Sequence, residues 1–220
     1  MPYGFRIVGD HGVVQIDQDY TNLALVASGA VAVPSGIVGA QVVVPNLVSP
    51  IFCIRTPSGA PVNVTSNQAL PSPTYTLRSE TAATVNWYVF DRSAPVSSGH
   101  GITVRRADGS VAYNTDWKVM KIGGAAAVPA ATDPDALLPV ASLVAPYASM
   151  WAACLTAARV VVDSGGGAST SFIHADGVAT VGNSATTGDV RVAQIAWGGA
   201  PAQMQQPLGG SLLLVDVSGY

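Results

Sequence analysis

Charge is scarce in this chain. Only 10% of its 220 residues are Asp, Glu, Lys or Arg, against roughly 25% in an average globular protein. A free monomer ordinarily shows more charge to water, so the shortage predicts that neighbouring subunits cover part of this one and that it is a homo-oligomer. Lys and Arg number 10 against 13 Asp and Glu, a net charge of −3. With no basic run, nucleic acid is not expected as a partner. Glu is rarer still, since Glu80 is the only one. A glycosidase would have to draw its paired carboxylates from loop aspartates. No Gly-x-Ser-x-Gly elbow and no Cys–His pattern offers a nucleophile. No catalytic, cofactor-binding or metal-binding residue is assigned, no cofactor is expected, and the chain is read as not an enzyme.

Cysteine and long apolar runs are also in short supply. The two cysteines, Cys53 in Ile-Phe-Cys-Ile-Arg and Cys154 in Trp-Ala-Ala-Cys-Leu-Thr, fall one in each half. They read as buried free thiols packing like small apolar residues, with a disulfide between them or a reactive thiol as the alternatives. The most apolar stretches, 22–54 and 123–162, are interrupted by Pro34, Pro45 and Pro50 and by Pro129, Pro134, Pro139 and Pro146. Neither holds the roughly 18 apolar residues of a membrane-spanning helix. The opening Met-Pro-Tyr-Gly-Phe-Arg lacks the order of a signal peptide. A soluble chain made in the cytosol, with no membrane insertion, is expected.

What the chain does have is a motif written twice. Residues 4–20 and 101–117 align without a gap, with Gly4/Gly101, Gly12/Gly109, Val14/Val111 and Asp19/Asp116 identical. Phe5/Ile102, Ile7/Val104, Ile16/Tyr113, Asp17/Asn114 and Tyr20/Trp117 keep their chemistry. An internal repeat constrains the fold before any local propensity does. Apolar residues alternate on either side of Gly9–Gly12 and of Arg106–Gly109, as in two half-buried hairpin strands. Asp108-Gly109 is a turn signal. A turn over 106–109 would set Val104 opposite Val111 and Ile102 opposite Tyr113, all on one face, with Ile7/Val14 and Phe5/Ile16 matching them. Asp17, Asp19, Asn114 and Asp116 are expected to close strand ends by local side-chain bonds.

Further pieces match less closely. Val33-Pro34 resembles Val128-Pro129, and Pro50–Ile54 resembles Met150–Leu155 with a one-residue adjustment. Val42–Val44 and 158–162 read as short buried strands, Val85–Asp91 as an aromatic-rich strand, and Ser211–Val217 as another. Val190–Trp197 is the expected counterpart of Val85–Asp91. Residues 133–145 could hold one helical turn before Pro139 and Pro146 stop it. Ser93–Gly99 is a small-residue linker. The fold class is all-β: two related β-sandwich-like modules with little helix, 1–98 and 99–220.

Several candidate sites read better as ordinary structure. Gly165-Gly166-Gly167, within the loop 164–171, lacks the Gly-Lys-Ser/Thr ending of a phosphate cradle. His174-Ala175-Asp176 reads as a surface His beside an Asp rather than a metal site, and His11 and His100 add no ligand spacing. Asp133 and Asp135 lack the Gly and distal Glu of a calcium loop. Trp87, Tyr88 and Phe90 could offer a sugar platform, but Trp87 points opposite to its neighbours, so packing is the simpler reading.

The order of these motifs resembles a known family. Tyr3-Gly4-Phe5, Gly12-x-Val14-x-Ile16-Asp17, Trp87-Tyr88-Val89-Phe90-Asp91 and Gly101-Ile102-x-Val104 with Asp108-Gly109-Ser110 are similar to the small β-rich tail-tip and tail-fibre-associated proteins of long-tailed bacteriophages. The resemblance covers about the first 120 residues. It implies a structural virion component of the tail, assembled in the host cytoplasm with other phage tail proteins, and a part in host attachment. The chain has no heptads, collagen triplets or long fibrous repeat of a fibre shaft. Alternative readings are a module binding host cell-surface glycan, through Trp87 or loops 164–171 or 180–188, and, with least support, a polysaccharide hydrolase.

Overall fold

The computed structural model describes residues 7–8, 14–16, 22–67, 69–93, 95, 100–129, 140–147, 149–158, 160–163, 170–196, 205–206 and 210–220. These residues form an all-β fold with no helix. Two short hairpins open the two halves: β1 (Ile7–Val8) with β2 (Val14–Ile16), and β9 (Thr103–Arg105) with β10 (Val111–Asn114). The remaining strands are β3 (Ala24–Val33), β4 (Gly36–Val43), β5 (Ile51–Arg55), β6 (Asn63–Ser66), β7 (Thr74–Ser79), β8 (Ala83–Asp91), β11 (Lys121–Val128), β12 (Ser142–Val144), β13 (Trp151–Leu155), β14 (Val160–Asp163), β15 (Thr170–Val181), β16 (Ser184–Ala196), β17 (Gln205–Gln206) and β18 (Gly210–Asp216).

The repeat is visible in strand register. Ile7 pairs with Ile16 and Val8 with Val14; at the equivalent positions Val104 pairs with Tyr113 and Arg105 with Val111. Both hairpins therefore carry the same bulge. The expected pairing of Val104 with Val111 and Ile102 with Tyr113 is corrected by that bulge. Gly109 N–H donates to Arg106 O at 2.9 Å, which closes the turn, and Arg106 N–H donates to Ser110 O at 2.8 Å. Gly109 has φ +84°, the left-handed step that follows a type I turn in a three-residue hairpin loop. An extra residue, Ala112, then separates the pairs made by Val111 and Tyr113. Ala112 is buried at 0% exposure and Ile102 is 63% exposed, so the four apolar residues do not share a buried face. Asn114 closes the strand end as expected: its side-chain oxygen accepts from Asp116 N–H at 2.8 Å. Asp17 and Asp19 lie outside the described residues.

The same duplication organises the main sheet, whose order is β11-β18-β13-β5-β8-β3, antiparallel throughout. Read from either end the pattern is the same: β3 matches β11, β8 matches β18, and β5 matches β13. Registers agree residue by residue. Leu25↔Phe90 and Ala27↔Val89 flank a bulge, and so do Ile122↔Val215 and Gly124↔Leu214. Phe52↔Val89 and Ala153↔Leu214 are likewise equivalent. A pseudo-two-fold axis thus passes between β5 and β13, the strands that join the halves at Ile54↔Ala153. The expectation that Val190–Trp197 replaces β8 is corrected here, since β18 takes that place. Residues Val190–Ala196 instead belong to β16, long partner of β15 in the opposing layer.

Equivalent aspartates end β8 and β18. Asp91 accepts from Val48 N–H at 2.9 Å, Ser49 N–H at 2.6 Å and the Ser93 hydroxyl at 2.5 Å. Asp216 accepts from Ser218 N–H at 2.9 Å and from the Ser149 hydroxyl at 3.0 Å. An Asp-x-Ser strand end therefore clamps the chain just before β5 in one half and just before β13 in the other.

A second layer faces the main sheet. It holds a three-stranded sheet, β4-β7-β6, and a five-stranded sheet, β12-β16-β15-β14-β17. These meet where Val62 and Val178 exchange backbone hydrogen bonds at 3.0 and 2.8 Å. Nearby, Thr56 and Thr180 each donate a backbone N–H to the other's hydroxyl, at 2.7 and 2.8 Å. Side chains alternate along strands. One face of the main sheet sends Val33, Ile54, Val89, Trp151 and Leu214 into a core shared with Val42, Leu77, Val62 and Val178 of the second layer. The other face gathers Cys53, Tyr88, Phe90, Ala152 and Val215. Strands from 22–91 and from 121–216 therefore lie in one continuous sheet over one core. Most of the small-residue linker, 94 and 96–99, lies outside the described residues, as does 130–139; the end of the 133–145 segment is strand β12.

Candidate functional site

The outer strands of the main sheet are its most available backbone. β3 reads Ala-Leu-Val-Ala-Ser-Gly-Ala-Val-Ala-Val, with no charged residue, and β11 reads Lys-Ile-Gly-Gly-Ala-Ala-Ala-Val, charged only at its first position. The start of β3 is occupied, because Leu25 N–H donates to Lys118 O at 2.8 Å. Among the described residues no strand pairs with the rest of the outer side of β3, or with the outer side of β11. Ser28, Gly29 and Ala30 are exposed on one edge, Ala125 and Ala127 on the other. Beside each edge lies an edge strand of the second layer, β4 with Val38 80% exposed and β12 with Val144 64% exposed. An unpaired N–H and C=O row is a template for another strand, and proteins that must stay apart blunt it with Lys, Pro or bulges. Apart from one bulge each and Lys121 at the start of β11, neither edge is blunted. Pseudo-symmetry sets these two flanks at opposite ends of the sheet.

At the seam, a cleft of about 580 Å³ opens beside β5 and β13, lined by Pro50, Phe52, Leu70, Tyr75, Cys154 and Leu155. Phe52 stacks on Tyr75 with ring centroids 4.1 Å apart. Burial first, then the nearby Asp91 and Cys154, push the Tyr75 hydroxyl up to about 12, so it stays neutral. Trp87 also stacks against Phe52, with ring centroids 6.2 Å apart. Its indole also lies against Gly29, where an added Cβ would sit 2.7 Å from the ring. Trp87 is thus packed in the layer, as its strand position implied.

A polar cluster lies on β15 and β16. His174 Nδ1 is 2.6 Å from Asp189 Oδ2, and both side chains are about a quarter exposed, at 25% and 26%. The expected His174–Asp176 surface pair is corrected: Asp176 is 0% exposed, and the partner of His174 is Asp189 on the neighbouring strand. Positions i and i+2 share a strand face, and the bulge in this pairing, at Val192 of β16, lies before His174 and does not separate it from Asp176. Asp176 is covered where Asn63 of β6 crosses it and donates its side-chain N–H to the Asp176 carbonyl at 2.7 Å. Arg191 lies 4.9 Å over the Phe172 ring, and its N–H donates to Glu80 at 2.7 Å. Among the described residues no three His, Cys, Asp or Glu side chains gather as a metal site.

Other sequence candidates separate. His100 sits before the second hairpin, far in sequence from this cluster; His11, Asp133, Asp135 and Gly165–Gly167 lie outside the described residues. The 180–188 segment is strand rather than loop, because Val181 pairs with Ser184 across a two-residue Gly182-Asn183 turn. That Gly-Asn pair between β-branched runs is a hairpin signal. The Asp-x-Ser repeat was equally readable, but its meaning depends on strands more than 40 residues away. Comparison with protein-family models, curated proteins and solved structures finds no match.

Proposed function

We propose that this chain is a structural subunit of a bacteriophage tail, at the tail tip or with the tail fibres, and that copies join through the flanks of the main sheet. The observation that carries the reading is the pair of equivalent, almost uncharged edges, β3 and β11. Five antiparallel steps leave these two strands running in opposite directions. A second copy in the same orientation then sets its β3 antiparallel to the first copy's β11 and continues the sheet. Such a join is head-to-tail, and closes into a ring or extends as a filament according to its rotation. The shortage of charge fits a surface covered by neighbours, and the order of the N-terminal motifs supplies the tail context.

The tail assignment is tested in particles. Mass spectrometry of purified virions should identify the chain, and immunogold labelling should place it on the tail. Its absence from purified particles, or labelling confined to the capsid, would refute the assignment.

A further inference from the structure

Cys53 is the middle residue of β5 and Cys154 the fourth of five in β13, the two strands on either side of the pseudo-two-fold axis. Ile54 pairs with Ala153, and one step along the antiparallel register sets Cys53 opposite Cys154. Opposed residues in such a pair share a face and have Cα atoms about 4.5–5.5 Å apart, inside the roughly 4.4–6.8 Å that a disulfide spans. Cys154 Sγ–H donates to Leu155 O at 3.6 Å, and the neighbouring thiols shift each other's pKa, Cys53 upward and Cys154 downward. Their accessibility differs: Cys53 is 0% exposed, whereas Cys154 is half-buried and lines the seam cleft.

We infer that Cys53 and Cys154 form a reactive dithiol that a small-molecule disulfide closes into a cross-strand bond, joining the two halves covalently at their seam. Cys154 is the attacking group, because the cleft reaches it. The neighbouring Cys53 thiol lowers the Cys154 pKa against the opposing effect of burial. The neighbouring Cys154 thiol, with burial, holds Cys53 protonated. The Cys154 thiolate attacks one sulfur of the reagent, breaks its S–S bond and releases one thiolate, leaving a mixed disulfide. Cys53 then loses its proton to solvent and attacks the Cys154 sulfur, releasing the second thiolate. The protein loses two protons and two electrons, and the reagent is reduced to two thiols.

The test is incubation of the native, fully reduced protein with oxidised glutathione, followed by intact mass and non-reducing peptide mapping. Both free thiols should disappear together, with a mass loss of two hydrogens and a peptide linking Cys53 to Cys154. The Cys53→Ser variant should instead stop with one glutathione on Cys154. Overturning results are a wild-type protein that keeps glutathione on Cys154 without a cross-link, or one whose thiols react only after unfolding. The wild-type map decides the matter even where the variant does not fold.

Discussion

Trp151→Ala should lower stability by about 3–5 kcal/mol, the usual cost of emptying a buried tryptophan site, and Tm by roughly 10 °C. Trp151 is 0% exposed and belongs to the shared core. Its ring meets Tyr147 at a centroid distance of 5.1 Å, and its indole N–H donates to Tyr147 O at 3.2 Å. The bulge in β11 brings Gly123 against the same ring, where an added Cβ would lie 2.1 Å from the indole. Gly123→Ala should therefore destabilise the wild type and cost much less in the Trp151→Ala background, because the cavity accepts the methyl group. Denaturant melts of the four proteins close the double-mutant cycle. Additive effects would mean that Gly123 and Trp151 do not constrain each other. Since β13 adjoins β5 in one sheet, the loss should also appear as faster hydrogen exchange in β8, in the other half.

The second large effect concerns the strand-end clamp. Asp91→Asn should cost roughly 2–3 kcal/mol near neutral pH, in the range of hydrogen bonds to a charged group. Burial alone would raise the Asp91 pKa. The Ser93 hydroxyl and the backbone N–H groups of Val48, Ser49 and Arg92 outweigh it and hold the carboxyl below the ordinary carboxylate range. A depressed folded pKa stabilises above the unfolded value, and the contribution is lost as pH falls through the folded value. The gap between wild type and Asp91→Asn should therefore be wide near pH 7 and narrow below the ordinary carboxylate range. A gap of equal size in acid would show that shape, not charge, sets the effect. At Asp216 burial again acts upward and is outweighed by Ser218, Ser149 and Tyr147. That side chain is less buried, so Asp216→Asn should follow the same pH trend with a smaller loss.

The sequence made some of this plain and hid the rest for physical reasons. Alternation and turn residues mark strands wherever one face is buried, so Val85–Asp91, Ile51–Ile54, Trp151–Leu155 and Ser211–Val217 were legible. Both hairpins were legible too, yet their register was not. A bulge adds a residue without a residue type of its own, and Ala112 carries no mark of it. Partners distant along the chain were harder still. β18 matches β8 only through the bulged pairing with β11 and through the short Asp-x-Ser ending, while the β15–β16 hairpin separates it from its half. The candidate edges had a sequence signature, the want of charge in β3 and β11, but only sheet order shows that these strands are outermost. Cys53 and Cys154 read as buried free thiols, with a disulfide between them as an alternative; the sequence does not show that their strands, β5 and β13, are neighbours in one sheet.

Sedimentation velocity with two edge variants, Ala30→Lys on β3 and Ala127→Lys on β11, tests the central claim most directly. Lysine on an edge strand blocks further pairing. Wild type should form concentration-dependent assemblies, and each variant alone should be monomeric, because a head-to-tail join needs both edges. An equimolar mixture should yield dimers and nothing larger, since the intact β11 of one variant meets the intact β3 of the other. A wild type that stays monomeric at every concentration, or variants that assemble as wild type does, would contradict the account.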